Sequence, residues 1–229
     1  MLLTFKDVYY SYDKANNVLK GINLNIDKGE KVALLGLNGA GKSTLMLLCN
    51  GLLLPSRGDV MVNKISTKSK EIGEIRKTVG IVFQNSDDQL FMHTVREDVA
   101  FGPRNMNLSE EEIEKRVQEA LKLTGTENLA DSHPIDLSGG QKKSVSIATV
   151  LSMKPELIVM DEPTSGLDYR ATRNFVKIVE SLDTSMLLST HDLELAKHLC
   201  SRALVLKNGE LIYDGVISEV PYPDLILHS

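Results

Sequence analysis

Short runs of apolar residues predict strands at several points along the chain. They read KVALLG from Lys31, LIVMDE from Leu157 and MLLST from Met186, with a further apolar run GIVFQ ending at Gln84. Continuous apolar runs of this length are typical of strands buried on both faces of a parallel sheet. Helical patterns follow two of them, at KSTLMLLCNGLL and LELAKHLCS. The pattern therefore predicts an α/β fold with a mostly parallel central sheet.

The two ends of the chain carry antiparallel signals. Residues 2–35 are β-rich, with LTFKDVYYSY, VLKGINLNI and a turn at 27–29, and predict an N-terminal antiparallel β subdomain. ALVLKNGELIYDG, at 203–215, predicts a hairpin around the two-residue turn Asn208-Gly209. Residues 216–229 contain two prolines and are expected to form a loosely packed C-terminal tail.

A helical insert separates the two groups of predicted strands. Thr94 and Glu97 have the spacing of a capping box, and so do Ser109 and Glu112. After the second box, apolar residues recur at helical spacing, at Ile113, Val117, Ala120 and Leu121. The predicted organisation is a single domain: a nucleotide-binding core at 1–87 and 151–215, a helical subdomain at 88–150 and the tail at 216–229.

Composition narrows the class of protein without identifying it. The 229 residues are 42% hydrophobic and 25% charged, as in ordinary globular proteins. A balance of 26 basic against 31 acidic residues, net −5, disfavours a general nucleic-acid binder. Cys49 and Cys200 have no paired spacing and are expected to be free, buried thiols. The longest apolar run, LMLLCNGLLL, is too short to cross a bilayer, so work at a membrane would need a separate partner chain.

The stretch GLNGAGKST, residues 36–44, has the spacing G-x-x-x-x-G-K-[ST] of a phosphate-binding loop. Its glycines allow several backbone amides to approach one phosphate, and the following helix start adds further N–H donors. Lys42 would lie against the β- and γ-phosphates, and the Ser43 hydroxyl would hold Mg²⁺. Strand, loop and helix in this order predict a P-loop NTPase fold.

A second glycine-rich turn, LSGGQ, precedes the helical pattern KKSVSIATVLSM. Ser138 can cap this helix, and Gly139 and Gly140 let an anion approach the first-turn amides. Such a turn is more often only a loop and a cap. Beside an upstream phosphate-binding loop, we interpret residues 138–141 as a second phosphate site.

The run LIVMDE ends in two carboxylates, at the edge of an open α/β sheet where ligands bind. Asp161 is expected to reach Mg²⁺, and Glu162 to deprotonate a water aimed at the γ-phosphate. His191 also follows a predicted strand, beside the expected site. The remaining histidines have no metal-ligand spacing and are assigned no role: His93, His133, His198 and His228.

Two further positions are ambiguous from the residues alone. Tyr12 could stack an adenine ring or simply pack on the sheet as a strand tyrosine. In the turn PTSGLD, either Ser165 or Asp168 could cap the helix that begins at Tyr169.

Taken in order, GLNGAGKST, Gln84, LSGGQ, LIVMDE, SGLD and His191 closely resemble the ATP-binding subunit of an ABC transporter. The resemblance covers nearly the whole chain. It implies an ATPase that acts with Mg²⁺ at the cytoplasmic face of the cell membrane. It also implies a head-to-tail dimer with a second ABC ATPase, which sandwiches two ATP molecules, and integral membrane subunits contacted near residues 84–91.

The resemblance also implies the role of each matching residue. Tyr12 would stack adenine, Gln84 would touch Mg²⁺ and sense the membrane partner, Asp168 would cross the dimer interface, and His191 would be the switch histidine. The signature that contacts the partner's nucleotide comprises Ser138, Gly139, Gly140 and Gln141. The other ATP-binding residues would be Gly36, Asn38, Gly39, Ala40, Gly41, Lys42, Ser43 and Thr44, with Ser43, Gln84 and Asp161 at the metal.

A finer resemblance is to the ATPases of cobalt and nickel uptake and of the vitamin-importing energy-coupling-factor group, carried by QNSDDQLF and TVREDVAFGP. An acidic loop of this kind could also be merely solvated. Two features depart from the pattern: Ser144 stands where the family commonly has arginine, and the chain ends too early for a full C-terminal dimerisation segment. Homodimer and heterodimer therefore both stay open.

Other functions share these motifs or predict features that the sequence lacks. Another ABC importer or exporter shares all of the motifs. An ABC ATPase of DNA repair predicts a long coiled-coil insert and one of translation predicts tandem cassettes, and the sequence has neither. A small-molecule kinase would leave LSGGQ without a role.

Overall fold

The computed structural model describes residues 1–13 and 16–221. Its strands are β1 Leu3–Tyr10, β2 Leu19–Ile26, β3 Lys31–Leu35, β4 Arg57–Val62, β5 Ile65–Ser66, β6 Val79–Val82, β7 Leu157–Met160, β8 Ser185–Ser189, β9 Arg202–Lys207 and β10 Glu210–Val216. Its helices are α1 Lys42–Leu48, α2 Ile72–Thr78, α3 Val95–Asn105, α4 Glu110–Thr124, α5 Gly139–Leu151, α6 Tyr169–Glu180 and α7 Leu193–Leu199. The described residues divide into two compact units.

The first unit comprises the described residues of Met1–Ile81, Glu156–Glu162 and Thr184–Ser229. Its six-stranded sheet has the order β10-β9-β3-β8-β7-β6. β3 pairs in parallel with β8 and β9, and β7 pairs in parallel with β8. The continuous apolar runs predict buried strands, and the structure confirms this. Every residue of β7 and β8 is buried, and so is every residue of β3 after the first. The carboxyl ends of β3, β7 and β8 therefore lie at one edge of the sheet.

A second, four-stranded sheet in this unit has the order β2-β1-β4-β5 and is antiparallel throughout. It contains β1 and β2 of the predicted N-terminal β subdomain, but β4 and β5, which lie outside residues 2–35, complete it, and β3 belongs to the six-stranded sheet instead. Together with the mostly parallel six-stranded sheet, it confirms the predicted fold class of a P-loop NTPase.

The C-terminal hairpin forms as predicted. β9 and β10 are antiparallel, and Asn208 and Gly209 both have positive φ, 50° and 81°. This conformation is the one that a two-residue hairpin turn requires, and asparagine and glycine adopt it most readily. The residues after the hairpin differ from the expected loose tail, because Ile217 is buried in a short 3-10 helix, Ile217–Glu219, against α7. Residues 222–229 of the predicted tail lie outside the described residues.

The second unit comprises Val82–Pro155 and Pro163–Asp183. Helices α3, α4 and α5 bury one shared apolar cluster that includes the predicted positions Ile113, Val117, Ala120 and Leu121. Thr94 and Glu97 form a complete capping box at α3. At α4 only half of the predicted box forms: Ser109 accepts from the Glu112 N–H, while the Glu112 carboxylate accepts from Arg116.

The bounds of the helical unit differ from the predicted 88–150. It begins at Val82 rather than at residue 88, and it includes α6, which lies within the predicted core range 151–215. The reason is packing between α5 and α6: a Cβ built on Gly140 would lie 2.8 Å from the Ala171 side chain. Asn174 also donates to the Ser144 hydroxyl at 3.4 Å, so Ser144 contacts α6.

The two cysteines are free and buried, as predicted. Burial raises the pKa of both thiols, that of Cys200 to about 12. Within residues 1–13 and 16–221, no helix combines the length and apolarity needed to span a bilayer.

Candidate active site

The phosphate-binding loop joins β3 to α1 and has the backbone geometry that its glycines predict. Gly36, Gly39 and Gly41 have φ of 152°, 81° and 105°. A Cβ on Gly36 would lie 2.3 Å from the carbonyl oxygen of Leu206, so no other residue fits there without moving the backbone. α1 is shorter than predicted and ends at Leu48, followed by Gly51 with φ 71°.

Lys42 folds back into this loop. Its Nζ donates to the carbonyl oxygens of Gly36 at 2.8 Å and Leu37 at 3.2 Å, and the side chain is buried. The same Nζ lies 3.9 Å from Glu162 Oε1. An ammonium has three N–H donors and no acceptor. The loop therefore holds a buried positive charge whose donors can turn to an anion in the loop.

Asp161 and Glu162 follow β7 directly. Glu162 is 8% exposed and has a positive φ of 42°, which is uncommon for a residue other than glycine. One carboxylate oxygen, Oε2, lies 2.9 Å from His191 Nδ1. The other, Oε1, is buried and has no hydrogen-bond partner among the described residues. A buried oxygen without a hydrogen bond is costly, and here only the Lys42 ammonium, 3.9 Å away, offsets that cost.

The structure thus brings Lys42, Glu162 and His191 together, although they follow three different strands. The histidine side chain is largely exposed, whereas the glutamate is enclosed. Sequence reasoning assigned His191 to this edge from its place after β8, and the 2.9 Å contact identifies Glu162 as its partner.

Two predicted metal ligands carry oxygen donors: Ser43 has a hydroxyl and Asp161 a carboxylate. Mg²⁺ prefers oxygen ligands, usually with phosphate and water completing its shell. Among the described residues no group of three or more histidine, cysteine or acidic side chains could hold a metal ion by itself.

Tyr12 lies in the same unit, mostly exposed. Its ring meets Tyr10 edge to face with centroids 4.9 Å apart, and its hydroxyl lies 3.1 Å from Thr44 Oγ1 at the start of α1. These two contacts hold an exposed aromatic face beside the phosphate-binding loop, where a base could stack on it.

The other predicted site residues belong to the second unit. Ser138 caps α5: its Oγ accepts from the Gln141 N–H at 3.3 Å, while its own N–H donates to Gln141 Oε1 at 2.9 Å. This capping box occupies both polar side chains and leaves the exposed Gly139 and the half-buried Gly140 as the first residues of the helix. Asp168, rather than Ser165, caps α6 by accepting from the Ala171 N–H at 2.8 Å.

The loop after Gln84 is tied to α5 by three side chains. The buried Lys143 donates to the carbonyl oxygens of Phe83 and Gln84 at 2.9 and 2.8 Å. Gln89 accepts from the Phe83 N–H and donates to the carbonyl oxygen of Ser146 at 2.7 Å. Lys142 contacts Asp87 at 2.6 Å.

Sequence reasoning missed these anchors. Gln89 lies within QNSDDQLF, a segment that indicates a family resemblance but no contact of Gln89 with α5. Nothing in the residues around Lys143 indicates that its ammonium contacts the loop at Gln84.

Comparison with known proteins agrees with this geometry. The family model for ABC transporters matches residues 19–165. The energy-coupling factor transporter ATP-binding protein EcfA of Methanocaldococcus jannaschii is 49% identical over 220 residues, which cover 94% of this chain and 79% of that protein.

Two solved structures are also similar. The structure of cbiO1 from Clostridium perfringens, part of the ABC transporter complex cbiONQ, has a TM-score of 0.85 at 42% identity over 96% of this chain and 90% of that one. A dimeric ATP-binding cassette bound to ADP and Pi in a post-hydrolysis state has a TM-score of 0.84 at 31% identity, over 94% of this chain and 99% of that one.

The chain belongs to the ABC transporter family of ATP-binding proteins. It is an ATPase and the ATP-binding subunit of an ABC transporter, as its motifs predicted.

We predict that Lys42→Ala weakens binding of Mg-ATP by about 10- to 100-fold, since a hydrogen bond to a charged group is worth about 1.5–3 kcal/mol. Calorimetric titration with Mg-ATP measures the affinity. Lys122→Ala, which removes an exposed lysine near the end of α4, is the matched control. Equal affinities for the two variants would contradict the role of Lys42 in the loop.

Proposed function

We propose that this chain powers an uptake transporter of the energy-coupling-factor or cobalt and nickel group. The observation that carries the proposal is the 49% identity with an energy-coupling factor ATPase across 94% of the chain. The likeness to cbiO1 and the text QNSDDQLF after Gln84 support the same subgroup. The chain would work at the cytoplasmic face of the membrane, bound to separate membrane subunits that carry the solute.

In this proposal ATP binds along the loop at 36–44. Tyr12 stacks on adenine, Lys42 moves from its two loop carbonyls to the β- and γ-phosphates, and Thr44 and the loop amides hold the phosphate chain. Ser43 and Asp161 would hold Mg²⁺, with Gln84 as a further oxygen ligand. The ion would supply neutralisation of charge that develops on the phosphates.

Glu162 is the proposed general base. Its Oε1 has no protein donor and can accept a proton from water, while the contact of Oε2 with His191 fixes the orientation of the carboxylate. Lys42, whose Nζ lies 3.9 Å from Oε1, would turn to the phosphate on binding ATP and leave Oε1 free to accept from water. General base catalysis of this kind contributes about 10²- to 10⁴-fold in rate.

The signature residues 138–141 are proposed to contact the nucleotide held by a second ABC ATPase in a head-to-tail dimer. The capping box presents the Gly139 end of a 13-residue helix, whose first-turn amides suit an anion. Asp168 would lie at the same interface. Loss of the γ-phosphate removes charge-assisted hydrogen bonds made from both sides, so hydrolysis would let the dimer reopen.

The membrane subunits are proposed to dock on the second unit near residues 84–91. Phe91 is 63% exposed and Phe101 is 43% exposed, and their rings meet edge to face with centroids 5.0 Å apart. The buried Asp98 accepts from the N–H groups of Phe91 and Met92 and so fixes this loop, although burial raises the pKa of its carboxyl. An exposed aromatic pair on a fixed backbone is a typical anchor of a protein interface.

We predict that Glu162→Gln binds ATP and forms the dimer but lowers kcat by about 10²- to 10⁴-fold, because the amide cannot accept the proton. Phosphate release and size-exclusion chromatography measure the two properties. Glu194→Gln, at an exposed acid in the first turn of α7, should hydrolyse ATP normally. Near-normal hydrolysis by Glu162→Gln would refute Glu162 as the base.

We predict that Phe91→Ala weakens binding to the membrane subunits by at least about tenfold, the size of effect expected for an interface anchor. The affinity is measured with the native membrane subunits in lipid nanodiscs. Leu123→Ala removes an exposed apolar side chain from α4 of the same unit and should bind normally. If Phe91→Ala binds the membrane subunits with unchanged affinity, Phe91 is not part of their docking surface.

The subgroup itself is tested by co-purifying the chain with its native membrane subunits and identifying the solute that they bind. We expect a cobalt or nickel ion, or a vitamin, and ATP-dependent uptake of it into proteoliposomes. Efflux, or uptake of an unrelated solute, would favour another ABC importer or exporter. Failure to associate with any membrane subunit would favour a non-transport ATPase.

A further inference from the structure

Ser189, the last residue of β8, contacts both acidic residues that follow β7. Its Oγ lies 2.6 Å from Asp161 Oδ1 and 2.9 Å from the backbone nitrogen of Glu162. The side chain is fully buried. Because β7 and β8 are parallel neighbours, with Met160 opposite Leu188, the hydroxyl lies where the chain leaves β7.

The chemistry of these three groups allows only one direction for the hydrogen bonds. The Glu162 N–H can only donate, so the hydroxyl oxygen accepts from it. An ionised carboxylate can only accept, so the single hydroxyl proton points to Asp161. The result is a chain of two bonds, from Glu162 N–H to Ser189 and from Ser189 to Asp161. The second bond is short and charge-assisted, which makes it the stronger of the two.

Glu162 needs such a restraint. Its φ of 42° lies in a region that residues other than glycine rarely occupy, and this conformation persists only where the surroundings hold it. The bond from its N–H to Ser189 fixes the backbone from which the glutamate side chain extends. The bond to Asp161 Oδ1 fixes the plane of the other carboxylate and leaves Oδ2 available to a ligand.

We propose that Ser189 is a positioning residue for ATP hydrolysis, which sets the orientation of Asp161 and of Glu162 with one hydroxyl. The proposal rests on the roles of these two carboxylates in the proposed function. Removing a group that hydrogen-bonds to a metal ligand and orients it typically lowers metal affinity or activity by about 10- to 100-fold. The same size of effect is expected here.

The same strand provides a matched control. Ser185, at the other end of β8, is also buried, and its Oγ accepts from the N–H of Gly29 at 2.8 Å. Ser185→Ala therefore removes a buried hydroxyl and leaves a backbone N–H without its acceptor, as Ser189→Ala does. It leaves the acidic pair untouched. A purely structural role of Ser189 predicts similar behaviour of the two variants.

The test measures nucleotide affinity by calorimetry, with Mg²⁺ and with EDTA, next to kcat and thermal stability. We expect Ser189→Ala to keep its affinity for ATP in EDTA, to lose about 10- to 100-fold of the affinity gained from Mg²⁺, and to lose kcat by a similar factor. Ser185→Ala should keep its Mg²⁺-dependent affinity and its kcat. Ser189→Thr retains a hydroxyl and should recover the Mg²⁺-dependent affinity.

Two results would overturn the proposal: a Ser189→Ala protein that matches Ser185→Ala in Mg²⁺-dependent affinity and kcat, or a folded Ser189→Thr protein as defective as the alanine variant. Asp161→Asn separates this failure from a failure of the proposed function. If Asp161→Asn lowers the Mg²⁺-dependent affinity and Ser189→Ala does not, only the role of Ser189 is wrong. If Asp161→Asn has no effect, the assigned metal ligand is wrong.

Discussion

Parallel pairing of β3, β7 and β8 is the constraint on which the active site depends. Each strand is buried in the six-stranded sheet, and each delivers its functional residue where the strand ends. Lys42 follows β3, Glu162 follows β7 and His191 follows β8. A slip in register or a reversed strand would separate side chains that now lie within 2.9 to 3.9 Å of one another. The contacts among these side chains therefore depend on the hydrogen bonds that pair the strands of the sheet.

Within this site, buried polar groups are arranged so that one remains unsatisfied. Lys42 donates to two carbonyl oxygens, and Ser189 accepts from the Glu162 N–H and donates to Asp161. Glu162 Oε1 has no hydrogen-bond partner among the described residues, and the Lys42 Nζ lies 3.9 Å from it. Since an unpartnered buried oxygen costs free energy, the structure concentrates this cost at the atom proposed to accept a proton.

In the second unit, hydrogen bonds from side chains to backbone groups hold a loop in place. Lys143 and Gln89 satisfy the backbone groups of Phe83 and Gln84 from α5, and Asp98 satisfies the N–H groups of Phe91 and Met92 from α3. The loop that carries Gln84 and the exposed Phe91 is therefore held at both ends by helices of its own unit.

The sequence by itself determined the elements and the chemistry that depend on neighbours along the chain. The glycine loop, the helix caps at Thr94 and Ser138, and the Asn208-Gly209 turn act over a few residues, and the buried strands are marked by their own apolar composition. Only the tertiary structure decided which side chains meet. Ser189 acts on residues 27 and 28 positions away, and Lys143 acts on residues 59 and 60 positions away. The tertiary structure also shows that α6 belongs to the helical unit. The sequence could not predict this, because the packing of Ala171 against Gly140 leaves no periodic pattern along the chain.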